Sequence, residues 1–216
     1  MASRATLTWL CSLAVLSCSA AQETIPKNCS SQNQVFDRLS ADLKVAAECG
    51  ETPPSNWTAQ QTASLLIYMR SLTDALHKHQ LKECQVVEPI KCQEAEVPSN
   101  GGLACVTVGN KRYCKPLCNQ GYDFGFLRRS RVFEECSEQT GYKWQSQYIG
   151  GNKLAVCNEA LIQVSGAKTA YFPKDQDCLV TKSSSQLTER IMEAFTAELK
   201  NQNIDGELQD TCLVCG

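Results

Sequence analysis

The residues able to do chemistry in this chain of 216 amino acids are few, and cysteine dominates them: 14 Cys stand against 2 His. A side-chain nucleophile needs a positioned base, most often histidine. His77 and His79 sit two apart on a predicted helix, where their side chains diverge by about 200°. They can neither hold one metal together nor serve each other in a relay. No Gly-x-Ser-x-Gly elbow, phosphate loop or His-Glu-x-x-His occurs. A catalytic role is therefore not expected, and no cofactor or metal is called for. Cys212-Leu-Val-Cys215 has the spacing of a metal or redox pair. It lacks a second such pair and a following helix, so both sulfurs read as ends of structural bridges to other segments.

What the other thiols do depends on compartment. Arg4 precedes an apolar run over residues 7–16, and Ser17, Cys18, Ser19, Ala20 and Ala21 close it. Charge, short apolar core and small-residue end are the layout of a secretory signal peptide, here residues 1–21. The apolar run is about half of the roughly 20 residues a membrane helix needs. The mature chain is expected to be soluble and secreted, with no membrane insertion. Cys11 and Cys18 leave with the leader, so 12 of the 14 cysteines remain. In an oxidising compartment that even number predicts six disulfides. Asn28-Cys-Ser30 and Asn56-Trp-Thr58 are glycosylation sequons and agree with secretion. Without Arg4 the 21 basic side chains fall to 20, against 23 acidic ones. That balance argues against a general nucleic-acid partner.

Three segments must position these residues. Over 22–90 the pattern is helical: Val35, Phe36, Leu39 and Leu43 recur at three- and four-residue steps. Glu51-Thr-Pro-Pro-Ser55 interrupts it, because proline cannot continue a helix. A second helix is predicted from Thr58, where Gln61 completes a capping-box pattern, with Leu65, Leu66, Met69, Leu72 and Leu76 on one stripe. The pair reads as a helical hairpin. A bridge between Cys49 and Cys84 at its ends would need the Pro-Pro connection to return the chain. Over 91–158 the spacing turns to short β-prone runs. Gly109-Asn110, between Val106-Thr-Val108 and Arg112-Tyr113, predicts a hairpin tip. Over 159–216 the segment is mixed: strands are expected at 160–164 and 169–172, and a helix opens at residues 183–186 with Leu187, Ile191, Met192, Phe195 and Leu199 on one face. Its end is set by Asn203 and Gly206.

The middle segment carries an ordered set of residues: Cys92, then Pro98 and Asn100-Gly101, Cys118 before Gly121-Tyr122, Cys136, Gly141 with Trp144, and Cys157. This order resembles the sushi, or complement control protein, family over about a third of the mature chain. The resemblance implies crossed bridges Cys92–Cys136 and Cys118–Cys157, with Trp144 filling a small interior and Gly121 permitting a turn before Tyr122. Such a unit has little core of its own, and each bridge closing about 40 residues is worth on the order of 4 kcal/mol. Cys105 and Cys114 are additional to the family's four and could clip the ends of the hairpin. The remaining six, Cys29, Cys49, Cys84, Cys178, Cys212 and Cys215, allow 15 pairings, which stay open. The expected fold class is α+β: a small disulfide-rich β sushi-like module flanked by an N-terminal helical hairpin and a C-terminal helix.

Sushi modules in general serve as extracellular recognition surfaces, so the resemblance implies a non-catalytic recognition or adhesion protein of complement- or matrix-related kind. Two rivals are a helical signalling or carrier protein with an accessory β module, and a protease inhibitor presenting the hairpin at 106–113. Arg128, Arg129 and Arg131, with Lys111, Arg112 and Lys115 near in sequence, form the basic cluster. It could bind a sulfated glycan or an acidic protein surface. The aromatic pairs Phe124/Phe126 and Tyr171/Phe172 are expected in the core.

Overall fold

The computed structural model describes residues 32–49, 57–85, 91–146 and 151–216. The leader, Cys29, both sequon asparagines and the Pro-Pro connection of the expected hairpin lie outside these residues. The chain is of mixed helix and strand, and divides into two units, Met1–Thr58 and Ala59–Gly216. In the first unit, helix α1 spans Gln32–Glu48. Its positions Val35, Leu39 and Leu43 share one face, as the spacing requires.

The second unit is organised by one strand. β1 (Gly101–Val108) is buried at every position, which explains its unbroken apolar sequence Gly-Gly-Leu-Ala-Cys-Val-Thr-Val: both faces of the strand need cover. It turns through Gly109 and Asn110, with φ of 54° and 62°, into β2 (Lys111–Cys118). Two successive left-handed residues are what a two-residue hairpin of the right twist demands. Register runs from Val108↔Lys111 to Gly101↔Cys118. The far edge of β1 is taken by β6 (Leu208–Cys215), antiparallel, and β4 (Glu134–Cys136) joins β2, giving the order β4-β2-β1-β6. A smaller sheet pairs β3 (Tyr122–Phe124) with β5 (Cys157–Glu159).

Alternation sends the two faces of β1 to different layers. Ala104, Val106, Tyr113, Leu117 and Leu213 pack on Met192, Phe195 and Leu199 of α4 (Ser185–Asn201). Leu103, Cys105, Cys114 and Val214 meet Trp144, Leu154 and Cys84 on the opposite side. Ser184 caps α4 by accepting from the Leu187 N–H, and Asp177 caps the short α3 (Cys178–Lys182) by accepting from that of Val180. α2 (Ala59–Gln85) reaches the sheet with its last turns, where Leu81 and Cys84 join the second layer.

Several expectations need correction. Residues 160–164 and 169–172 are not strands. Single contacts hold these residues instead of a ladder: the Ala160 and Phe172 N–H groups donate to the Gly121 and Cys118 carbonyls, the Val164 N–H donates to the Asp123 carboxylate, and the Gln163 side chain donates to the carbonyls of Asn119 and Tyr122. Residues 168–170 form a 3₁₀ turn. β6 is a strand that local pattern did not show, and it places the C-terminal segment inside the same sheet as residues 101–118. Cys84 is bonded to Cys212, not to Cys49, and among the described residues Cys49 has no disulfide partner. The other bridges are Cys92–Cys136, Cys105–Cys114, Cys118–Cys157 and Cys178–Cys215. Phe124 and Phe172 are buried, Tyr171 is half-buried, and Phe126 is 51 % exposed.

The closeness of β1 to its surroundings is checkable at Gly102. A Cβ there would lie 2.4 Å from the Cys178 sulfur and 2.8 Å from the Val214 carbonyl oxygen. Gly102→Ala is expected to cost about 1–3 kcal/mol by overpacking, read as a lower midpoint in urea unfolding followed by tryptophan fluorescence.

Candidate functional site

On the α2 side of the sheet, register lines up chemically distinct residues in rows. Thr107 of β1 stands opposite Arg112 on one side and Asp210 on the other; Cys105 likewise stands between Cys114 and Cys212. Cys136 is opposite Arg112 on β4. A guanidinium thus sits among three disulfides. Arg112 is fully buried. Its Nη1 donates to Thr107 Oγ1 at 2.8 Å and lies 3.6 Å from the Asp210 carboxylate. Its Nη2 donates to the Cys84 carbonyl and to the sulfurs of Cys84 and Cys212, each at 3.1 Å. A buried charge needs such partners, because its desolvation otherwise costs several kcal/mol.

Beside this row lies a groove of about 960 Å³, walled by the end of α2 and by α4 and floored by β6. Met192, Leu208 and Leu213 give it apolar surface, while Glu83, Glu193 and Lys200 line its rim. Cys212, half-buried, also opens to it. Gln80 of α2 ties its wall to β6 and α3: its Oε1 accepts from the Cys215 N–H and from Lys182 Nζ, both at 3.1 Å. His77 Nδ1 donates to the Cys215 carbonyl at 3.1 Å. Because Cys215 turns its N–H and C=O away from β1, strand alternation turns those of Thr211 and Leu213 the same way, into the groove. Among the described residues no strand pairs with β6 on that side.

A second polar centre locks the loop at 163–166 to β3. The Asp123 carboxylate accepts from the N–H groups of Phe124, Val164 and Ser165, from the Ser165 hydroxyl and from the Tyr171 hydroxyl. Burial pushes its pKa up, but these donors together bring it down to about 2. Tyr171, by burial and by bonding that carboxylate, is pushed up to about 12.

The basic residues grouped by the sequence do not make one surface. Arg112 is in the disulfide row. Arg128 is buried, donating to Glu134 Oε1 at 3.0 Å and to the Leu154 carbonyl at 2.9 Å; Arg131 reaches the other oxygen of Glu134 at 2.6 Å. Burial raises the pKa of Glu134, and the two arginines oppose it. Lys115, buried against α4, pairs with Glu198 at 2.6 Å, and burial lowers its pKa. Lys111 lies 3.8 Å from Glu135. Arg129 is exposed and bonds the Val164 carbonyl. The residues expected to form a glycan-binding cluster are thus divided, Arg112, Lys115 and Arg128 being buried and Arg129 exposed. The hairpin offered as an inhibitor loop is likewise central: Val106, Val108 and Tyr113 are buried and the tip alone is exposed. Trp144 fills the second layer and donates to the Gln93 carbonyl at 2.6 Å. Gly121, at φ 86°, makes the turn before Tyr122. His79 lies 3.2 Å from Glu83. The Gln80 clamp, the Arg112 row and the Asp123 centre were all missed; each joins residues more than 25 apart in sequence, and only the adjacency of Lys111 and Arg112 to the hairpin tip hinted at any of them.

Compared with protein-family models, with curated proteins and with solved structures, the chain has no significant match.

Two measurements check this electrostatic arrangement. A carboxylate held below its usual 3.8 stabilises the fold above that value and loses the contribution as pH falls towards 2. The unfolding free energy is expected to drop by about 2 kcal/mol more between pH 4 and pH 2 in the wild type than in Asp123→Asn. On heparin resin at about 0.15 M salt, the chain is expected in the flow-through; retention there, lost on Arg129→Ala, would restore the polyanion site.

Proposed function

We propose that the protein is a secreted, N-glycosylated, non-catalytic recognition protein that takes an extended segment of an extracellular protein as an added strand along the outer edge of β6. The open edge of β6 within the α2–α4 groove carries this reading. An extended peptide gains main-chain hydrogen bonds from such an edge and specificity from pockets beneath alternate side chains. Thr211 and Leu213 offer the backbone groups; Met192 and Leu208 offer apolar contact; the mixed acidic and basic rim selects against strongly charged strands of either sign. The edge already accepts partners within the chain, since Gln80 and His77 occupy the Cys215 groups.

Five bridges support an oxidising, extracellular setting, and no described helix is long and apolar enough to cross a membrane. The crossed order of Cys92–Cys136 and Cys118–Cys157 supports reading residues 91–158 as an atypical sushi-like module. In this proposal that module braces the sheet, and the contact surface lies at β6 and not on the module's own loops.

Thr211 provides the test. Its N–H points away from β1, so proline there removes a groove donor without cutting a ladder bond of the sheet. Peptides selected from a phage-displayed random 12-mer library are expected to slow amide exchange at Thr211 and Leu213, and to bind Thr211→Pro at least tenfold more weakly. Selected peptides that protect other amides and ignore the substitution would sink the proposal.

A further inference from the structure

The row of sulfurs beside Arg112 has more reactive geometry than a set of inert staples. The sulfurs of Cys84, Cys105 and Cys212 lie within 4.8 Å of one another, although they belong to two different bridges, Cys84–Cys212 and Cys105–Cys114. Cys105 faces Cys114 across one strand boundary and Cys212 across the other. It can therefore be bonded to either neighbour with the sheet register unchanged. Thiolates are the nucleophiles and leaving groups of disulfide exchange, and a neighbouring guanidinium favours them. Arg112 Nη2 donates to both sulfurs of one bridge, Cys84 and Cys212. Access comes from the groove, to which the half-buried Cys212 opens, whereas Cys84, Cys105 and Cys114 are buried.

We propose that these four cysteines and Arg112 form a thiol–disulfide exchange site whose co-substrate is an external dithiol. One thiolate of the dithiol attacks Cys212 Sγ. The S–S bond to Cys84 breaks, and the Cys84 thiolate leaves under the Arg112 guanidinium and takes up a proton. The second thiol of the dithiol, as thiolate, attacks the mixed disulfide at the dithiol's own sulfur. The dithiol departs oxidised, two electrons having passed to the protein, and Cys212 is left as a thiolate. That thiolate attacks Cys105 Sγ, forming Cys105–Cys212 and expelling Cys114, which is protonated. The last step moves no net electrons, since one bridge replaces another. Its structural outcome is specific: Cys84 is the covalent tie between α2 and β6, so exchange unfastens one wall of the groove while β1 and β6 become joined directly. The chemistry does not depend on the groove being a binding site.

The experiment treats the intact, oxidised, full-length chain with limiting dithiothreitol, quenches in acid, alkylates thiols and maps peptides without reduction. Labels are expected first on Cys84 and Cys114, with Cys105 and Cys212 recovered in one cross-linked peptide and the other three described bridges intact. Arg112→Gln is expected to slow the first opening about tenfold, because the Cys84 thiolate then leaves without a cation beside it. Since a variant at a fully buried arginine can fail to fold, the double variant Cys105→Ser/Cys114→Ser gives a second reading. There the opening must label Cys84 and Cys212 together. Labelling of Cys84 and Cys212 in the wild type with Cys105–Cys114 still joined would overturn the exchange step. Opening of any other bridge first would overturn the site itself.

Discussion

β1 has cover on both faces and a partner on both edges, and that single constraint arranges the rest of the second unit. Eight consecutive buried residues can satisfy their backbone only through neighbouring strands, so β2 and β6 are obligatory. Their side chains require two separate apolar layers, one supplied by α4 and the other by Trp144, Leu154 and the end of α2. The tight fit at Gly101 and Gly102, where a side chain would strike the Leu117 carbonyl and the Cys178 sulfur, lets the bridge from α3 to β6 lie almost on the strand. Cys105–Cys114 joins β1 to β2, while Cys84–Cys212 and Cys178–Cys215 pin α2 and α3 to β6.

The same constraint governs charge. Arg112, Lys115, Arg128 and Glu134 are all buried, which is affordable only because each has an oppositely charged or carbonyl partner within hydrogen-bond reach. Three of them belong to β2 or β4, where the pleat alternates direction, and Arg128 bonds to Glu134 of β4. Arg112 turns to the sulfur side and Lys115 to α4. Residues two or three apart on such a strand diverge or coincide by parity, so a cluster in sequence need not be a cluster in space.

Parts of this were legible from the residues. Gly109-Asn110 specified its turn, because few dipeptides adopt two positive φ values cheaply. Ser184 and the stripe Met192, Phe195, Leu199 specified α4, and Thr58 with Gln61 located the start of α2 within a residue. The strand β6 was not legible: Leu208-Gln-Asp-Thr-Cys-Leu-Val-Cys has a polar first half, since Gln209 and Thr211 face solvent at an open edge, and its pairing with β1 is nonlocal. The Cys84–Cys212 bond was hidden for the same reason. Conversely, residues 160–164 read as a strand from their apolar content, yet Leu161 and Ile162 are exposed and the loop is held by the Asp123 carboxylate. Local pattern reports what a segment prefers; it does not report which distant side chain will satisfy its amides.

The separation of 128 residues between Cys84 and Cys212 has a consequence in time. At the 5–20 residues per second of chain synthesis, on the order of ten seconds pass between the emergence of α2 and that of β6. From the completion of β2 at Cys118 until β6 is made, β1 lacks the partner of its second edge. Cys84 must wait as a thiol among earlier-made cysteines that could capture it. Correct pairing of Cys84 is therefore paced by the arrival of the last strand, and any earlier bond it makes with another cysteine must be undone.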